Sequence, residues 1–398
     1  MQKNLQKDRQ MVFLTGPRQV GKTTLALQLG NHRPFTYLNW DNSAHRHLIL
    51  SGPEAVAHHA KLDQLHAQLP LLAFDEIHKH TRWRDFLKGF FDTYGDRCRI
   101  VVTGSAQLDT LAKGGDSLMG RYFSYRVHPL SLGELARGTL PDNLHSMHLP
   151  RLPHIDASYM ETLLQHGGFP EPFMKKDIRF RNRWQQLRDE QLFREDIRDL
   201  TRVQELDRMQ LFAQLLQQQV GQLTSLSSLA VKVGASVDTL RRWVNVLQGF
   251  YVFFVLQPWS ANVARSLIKQ PKYYMWDWSC VGSGGAQLEN CVASHLLKTV
   301  HTYTDLGLGK YSLHFVRDKQ KREVDFLMCS QGKPWFLVEV KQSARAPLSA
   351  SLAYFQKQLN CPHAFQVVFD LPFVAQDCFA AQHHPVIVSA QTLLSQLV

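Results

Sequence analysis

The sequence predicts an α/β protein with a parallel-sheet domain first, a helical middle and a smaller αβββαβ domain at the C-terminal end. Three observations predict it. An apolar run, Met11-Val12-Phe13-Leu14, leads into a glycine-flanked loop and then a helical stretch stopped by Gly30. Two further apolar runs, 69–74 and 99–102, end in polar side chains, as buried parallel strands do at the edge where ligands sit. The last third runs helix, three strands, helix, strand, with acidic residues at strand ends.

The first loop carries the strongest signal. Gly16-Pro17-Arg18-Gln19-Val20-Gly21-Lys22-Thr23 fits G-x-x-x-x-G-K-[ST] in full, and Thr24 to Leu29 continues as a helix. Strand, glycine loop and helix in that order form the context that separates a phosphate-binding loop from a chance glycine turn. Gly16 and Gly21 let backbone N–H groups close around phosphate oxygens, and the helix presents its N-terminus to their charge. Lys22 is expected to reach the β- and γ-phosphates, and Thr23 to ligate Mg²⁺.

Asp75-Glu76 follows the apolar run 69–74. Such a pair alone is a common surface turn; beside Lys22 and Thr23 it reads as a magnesium-holding Asp75 and a water-polarising Glu76. The strand 99–103 ends in Thr103-Gly104-Ser105, which places Ser105, or Thr103, within reach of a γ-phosphate; a plain strand-ending turn is the competing reading. Together these elements imply an NTP-hydrolysing α/β domain of the P-loop kind that uses Mg²⁺, with ATP or GTP as the nucleotide. Arg121 lies in the following segment, where an arginine can stabilise transition-state charge in a neighbouring subunit's site or simply pair with a local carboxylate such as Asp116.

The segments GPRQVGKTT, LLAFDEIHK, VVTGSAQ and GRYFSYRVHPLSLGEL resemble the AAA-type ATPase domain of the bacterial and archaeal "ATP-binding protein, DUF4143" family. The resemblance continues through YMETLLQHGGFPEPF, LFREDI, EVDFLM and VEVKQS, and so spans nearly the whole chain. It implies an ATP-binding AAA-type protein without fixing its task.

At 398 residues the chain is too long for one small core. The expected division is residues 1–148 for the ATPase domain, 149–260 for a helical and winged-helix region, and 261–398 for the last domain. Its 44% hydrophobic and 20% charged residues describe an ordinary globular protein. No apolar run approaches the roughly 18 residues of a membrane span, and the first residues carry no secretory apolar core, so a cytoplasmic protein is expected. The six cysteines include no C-x-x-C pair and the nineteen histidines no complete zinc spacing, which points to reduced thiols and surface imidazoles. A net charge of +11 points toward a polyanionic partner, though nucleotide and acidic proteins would also be attracted; DNA is expected through the basic winged-helix and nuclease-like regions read below.

The middle region turns at residues 141–153, then reads as helices as far as about residue 219, including a mixed-charge helix over 180–200 that suits a solvated connector. Two short helices, 226–233 and 237–247, meet at Gly234-Ala235, and Ser236 caps the second. With the apolar strand 250–256 behind them they read as a winged helix. Arg241, Arg242 and Asn245 then face phosphates or a groove, unless the module serves only for packing or oligomerisation.

In the last third, Glu289 lies on the first helix, Asp325 on the second strand, and Glu339-Val340-Lys341 closes the third. Strand side chains alternate, so Glu339 and Lys341 share a face. This order with Asp…Glu-x-Lys resembles the PD-(D/E)XK, restriction-endonuclease-like fold. In that scheme Asp325, Glu339 and an outer Glu289 hold Mg²⁺, Lys341 orients the attacking water, and the basic turn 317–322 grips the backbone. An E-x-K alone is common in exposed strands, and such a site can keep its residues while only binding. Three classes stay open: an ATPase that binds and cuts DNA, a nucleotide switch whose last domain only binds nucleic acid, and a regulatory ATPase acting on a protein partner with an inactive nuclease-like domain. A homo-oligomer is compatible with each.

Overall fold

The computed structural model describes residues 5, 7–104, 118–139, 152, 154–198, 205–260, 270–380 and 384–398. Ser105, Asp116 and the expected boundaries near 148 and 260 lie outside the described residues. The chain divides into two compact units, Met1–His128 and Pro129–Val398.

The first unit is built on five parallel strands: β1 (Met11–Thr15), β2 (Phe35–Asn39), β3 (Leu71–Asp75), β4 (Arg99–Thr103) and β5 (Tyr122–Arg126), in the order β2-β3-β4-β1-β5. β1 and β3 are buried along their whole length, as expected of strands covered on both faces. Helix α1 (Lys22–Leu29) follows the glycine loop; α2 (Ser43–Leu50), α3 (Pro53–His59) and α4 (Trp83–Tyr94) complete the unit. α4 shows how the sequence dictates packing. Trp83, Phe86, Leu87, Phe90 and Phe91 recur at helical spacing and are all buried, and they join Phe13, Leu72 and Phe74 in the core.

Because β2, β3 and β4 are paired in register, Asn39, Asp75 and Thr103 stand side by side at the carboxyl edge. That alignment makes the edge of the sheet a site.

The second unit opens with α5 (Leu132–Arg137), α6 (Ala157–His166), α7 (Pro170–Lys175), α8 (Ile178–Gln191) and α9 (Leu206–Gln217). The single helix expected over 180–200 changes pitch: α8 gives way to a π-helical segment, Leu192–Ile197. Next, α10 (Leu226–Val233) ends at Gly234 in the left-handed conformation (φ 69°). The Ser236 side chain caps α11 (Val237–Gly249) by accepting the Thr239 N–H at 3.1 Å. Strand β6 (Phe253–Leu256) then pairs antiparallel with β7 (Lys272–Met275).

The final layer is α12 (Gly285–Asp305), β8 (Tyr311–Arg317), β9 (Glu323–Ser330), β10 (Lys333–Lys341), α13 (Ala350–Gln358) and β11 (His363–Val368), followed by β12 (Val386–Ser389) and α14 (Ala390–Ser395). The sheet is mixed, in the order β12-β11-β10-β9-β8. β8, β9 and β10 run antiparallel, whereas β10, β11 and β12 are parallel. This is the αβββαβ order expected from the sequence, with one strand added at the edge. Asn290 fastens α12 to β7: its Oδ1 accepts the Met275 N–H and its Nδ2 donates to the Met275 carbonyl, both at 2.8 Å. The residue before it, Glu289, is thereby delivered to the start of β7.

Candidate functional site

Between β1 and α1 the chain closes a loop that only particular residues allow. Gly16 (φ 137°) passes so close to the Val127 carbonyl that a Cβ would collide with it, and Gly21 takes φ 98° immediately before α1. Pro17, Arg18, Gln19 and Val20 complete the turn, with Gln19 also left-handed at φ 60°. Lys22, the first residue of α1, is buried, and its Nζ donates to the Gly16 carbonyl at 3.0 Å and the Pro17 carbonyl at 2.6 Å. The ammonium thus holds the loop around itself. Thr23, second in the helix, donates its Oγ1 hydrogen to Asp75 Oδ2 at 3.0 Å; it and Thr24 are both largely exposed.

Asp75 collects hydroxyl donors from three strands and helices. Besides Thr23, Tyr37 donates to Oδ2 at 2.6 Å and Thr103 donates to Oδ1. Burial and the neighbouring carboxylate push the Tyr37 phenol well above its ordinary pKa, so it is held as a donor. Tyr37 was not legible as a site residue; its place two positions before the end of β2, beside β3, is the only signal. Thr103, the alternative to Ser105 in the sequence, is the hydroxyl that meets Asp75.

Glu76 sits at φ 56°, left-handed for a side chain with a Cβ, and its N–H donates to the Thr103 carbonyl at 3.1 Å. A non-glycine residue kept in that conformation costs of order 1–3 kcal/mol and clusters at functional sites. Its carboxylate lies 3.4 Å from Lys79 Nζ and 3.7 Å from His78 Nε2. Burial lowers the His78 pKa, which favours a neutral ring beside Glu76. Arg121 immediately precedes β5; its Nε donates to Asp92 Oδ1 at 2.8 Å and its Nη2 to Oδ2 at 3.0 Å, an ion pair within the same unit.

The oxygen set of Thr23 and Asp75, with Thr103 fixing the carboxylate, fits a hard divalent cation such as Mg²⁺. Lys22, Thr23, Asp75 and Glu76 converge on one sheet edge.

The second unit brings its own expected residues together and adds one that the sequence reading did not include. Asp325 Oδ2 accepts the Val340 N–H at 2.8 Å, which ties β9 to the end of β10. Lys341 Nζ donates to Glu339 Oε1 at 2.8 Å, as the shared face requires, while the buried Glu339 Oε2 has no hydrogen-bond partner. Glu289 Oε1 accepts the Tyr274 hydroxyl at 2.7 Å, in space left by Gly221, where a Cβ would crowd the carboxylate.

The addition is Lys272. From the start of β7 its Nζ lies 2.7 Å from Glu323 Oε1, 3.4 Å from Glu289 Oε1 and 3.9 Å from Asp325 Oδ1, with only 3% of the side chain exposed. Burial opposes its charge, but Glu289, Asp325 and Glu323 more than offset that and raise its pKa. Burial, with repulsion from Glu289 and Glu339, raises Asp325 well above the usual carboxylate range, and burial raises Glu289 as well. Burial likewise opposes the Lys341 charge, and the Glu339 hydrogen bond together with the charges of Glu339, Asp325 and Glu289 outweighs it and raises its pKa. Among the described residues no three His, Cys, Asp or Glu side chains are grouped to hold a metal ion.

The other basic segments are mostly paired within the fold. Arg317 reaches Glu323 at 2.5 Å, and Arg322 pairs with Asp318 at 2.6 Å while stacking over Tyr354, which leaves Lys319 and Lys321 as the exposed charges of that turn. On α11, Arg241 pairs with Asp238 and Arg242 donates to Thr239. Arg241, Asn245, Gln248 and Gln257 line a groove of about 730 Å³.

Family models match three successive segments of the chain. Residues 8–136 match the family model of an AAA domain, the class of nucleotide-binding ATPase domains to which the first unit belongs. Residues 158–283 and 284–372 match two domains of unknown function, DUF8612 and DUF4143. The chain therefore has the architecture of an AAA-type ATPase carrying a DUF4143 region. The uncharacterized proteins Mb2031c of Mycobacterium bovis and Rv2008c of Mycobacterium tuberculosis are each 24% identical to it over 363 residues, covering 86% of this chain and 72% of theirs. No helix among the described residues is long and apolar enough to cross a membrane.

Proposed function

We propose that this protein binds and hydrolyses ATP at the edge of the β2-β3-β4-β1-β5 sheet and uses that cycle to act on DNA through its second unit. The observation that carries the first part is the Thr23–Asp75–Thr103 arrangement beside a loop whose Lys22 already turns inward on its carbonyls. A polyphosphate offers Lys22 a charged acceptor in exchange for two neutral ones, so the ammonium moves to the β- and γ-phosphates. The N–H groups of residues 16 to 21, Pro17 having none, then face the phosphate oxygens. Thr23 and Asp75 would hold Mg²⁺, which when bound neutralises charge on the phosphates. Glu76, held in a fixed conformation one residue beyond β3, accepts a hydrogen bond from the attacking water and orients it. Arg121, released from Asp92, supplies a cation to a neighbouring copy in a homo-oligomer.

The DNA reading rests on the net charge of +11, on the exposed Lys319 and Lys321, and on the polar groove beside α11, which we read as the recognition helix of a winged helix with β6 and β7 as its wing. The αβββαβ layer with Glu289, Asp325, Glu339 and Lys341 is read as a nuclease-like domain. One experiment separates the open classes: ATP hydrolysis measured with and without duplex DNA at two salt concentrations. Stimulation by DNA that weakens with salt supports this reading. Hydrolysis indifferent to DNA, together with no salt-dependent DNA retention on a filter, replaces it with a switch acting on a protein partner. Absence of hydrolysis under all conditions ends the ATPase assignment.

A further inference from the structure

We infer that Lys272 is the resident cation of the nuclease-like site, so that its carboxylates are neutralised from within the chain and the domain takes up no divalent metal and cuts no phosphodiester. The inference rests on the nuclease-like reading of the second unit and is independent of the ATPase reading. The fold implies two or three carboxylates gathered around a metal ion. Here Glu289, Asp325 and Glu323 gather instead around one ammonium, at 3.4, 3.9 and 2.7 Å.

The remaining oxygens leave little room for an ion. Glu323 is taken on its second oxygen by Arg317 at 2.5 Å. Glu289 Oε1 also accepts from Tyr274, Asp325 Oδ2 from the Val340 N–H, and Glu339 Oε1 from Lys341. Glu339 Oε2 is buried without a hydrogen-bond partner, and among the described residues no three His, Cys, Asp or Glu side chains are grouped to hold a metal ion. A divalent ion bridging Asp325 and Glu289 would lie beside the Lys272 ammonium, whose like charge opposes it.

Nor can Lys272 withdraw easily. It lies on a paired strand opposite Leu256, its ammonium also stands over the Phe315 ring at 5.4 Å, and its side chain is 3% exposed. An ammonium moved from three carboxylates into apolar surroundings loses its counter-charges, and the carboxylates left behind repel one another.

The test counts bound Mn²⁺ by electron paramagnetic resonance on the nucleotide-free full chain, comparing wild type, Asp325→Asn, Lys272→Met and the double variant. Wild type and Asp325→Asn should bind Mn²⁺ equally, with no ion assignable to this site. Lys272→Met should gain about one ion per chain, and adding Asp325→Asn should remove it. Mn²⁺ bound by wild type and lost in Asp325→Asn overturns the inference. So does a folded Lys272→Met, verified by circular dichroism, that gains none. Should Lys272→Met not fold, Lys272→Gln, which keeps a polar group among the carboxylates, takes its place under the same two criteria, and the wild-type comparison stands regardless. A thermal shift with Mg²⁺ and ATP, measured alongside, should be the same in all four proteins, so failure here leaves the ATPase reading intact. Cleavage of plasmid DNA by wild type with Mn²⁺, abolished in Asp325→Asn, also overturns it.

Discussion

Replacing Lys22 by Met tests the nucleotide site at two levels at once. In the nucleotide-free chain the ammonium donates to the Gly16 and Pro17 carbonyls from a buried position. Met keeps the stem and removes both bonds. Hydrogen bonds to charged groups contribute about 1.5–3 kcal/mol each, and removing a buried ammonium returns part of that, so a net loss of about 2 kcal/mol is expected. A unit the size of Met1–His128 shifts by about 4 °C per kcal/mol, which puts the loss near 8 °C in its unfolding transition. The second level is ligand linkage. With free nucleotide at about 100 times Kd, wild type gains about 2.7 kcal/mol, or about 10 °C, on adding ATP and Mg²⁺. Lys22→Met should show none of that shift. Differential scanning calorimetry reads both. A variant whose transition still rises with ATP as in wild type would refute the phosphate role of Lys22, and one with an unchanged nucleotide-free transition would refute the account of how the loop is held.

Glu76→Gln should keep the ATP-dependent shift while slowing turnover by about 10²–10⁴-fold; turnover at the wild-type rate removes Glu76 as the group that orients water. Mixing Arg121→Ala with Lys22→Ala protein should restore ATPase activity if Arg121 serves a neighbouring copy, because some interfaces then pair an intact loop with an intact arginine. No recovery at concentrations where sedimentation shows oligomers leaves Arg121 as the intramolecular partner of Asp92. In the second unit, burial lowers the His295 pKa to about 4, and the neutral ring uses both nitrogens, Nε2 accepting the Leu132 N–H at 3.1 Å and Nδ1 donating to the Cys291 carbonyl at 2.8 Å. Its folded pKa lies below the unfolded value of about 6.5, so stability is full above that pH and falls as pH drops toward 4, by up to about 3 kcal/mol. Denaturant titrations from pH 7 to 4 should show this slope, and His295→Gln should flatten it; an unchanged slope in that variant would assign the loss to other groups.

What the sequence disclosed and what it withheld divide along the range of the contacts involved. The phosphate loop was legible because its chemistry is contiguous: Gly16, Gly21, Lys22 and Thr23 act within eight positions, and the strand and helix around them are local as well. Asp75 and Glu76 were legible as the polar end of an apolar run. Tyr37 was not, because its bond to Asp75 exists only through the register that sets β2 beside β3, and nothing at position 37 announces that pairing. Pitch was misjudged for a related reason. Residues 180–200 have continuous helical character, and nothing in that pattern marks the change to π-helix at Leu192.

The same distinction governs the last domain. Asp325, Glu339 and Lys341 were found because alternation along strands decides which side chains share a face, and alternation is written in the sequence. Lys272 opens a short apolar strand, where a lysine ordinarily marks the solvent end. Its first carboxylate partner is 17 positions away and the others lie two strands beyond that, on β9. Asn290 on Met275 and Tyr274 on Glu289 join α12 to β7, and Lys272 joins both to β9. A motif therefore identifies carboxylates that can bind a cation; which cation they meet is decided by tertiary contacts. For this chain those contacts put an ammonium among Glu289, Glu323 and Asp325, and an ammonium offsets part of their charge without supplying the polarised water that hydrolysis needs.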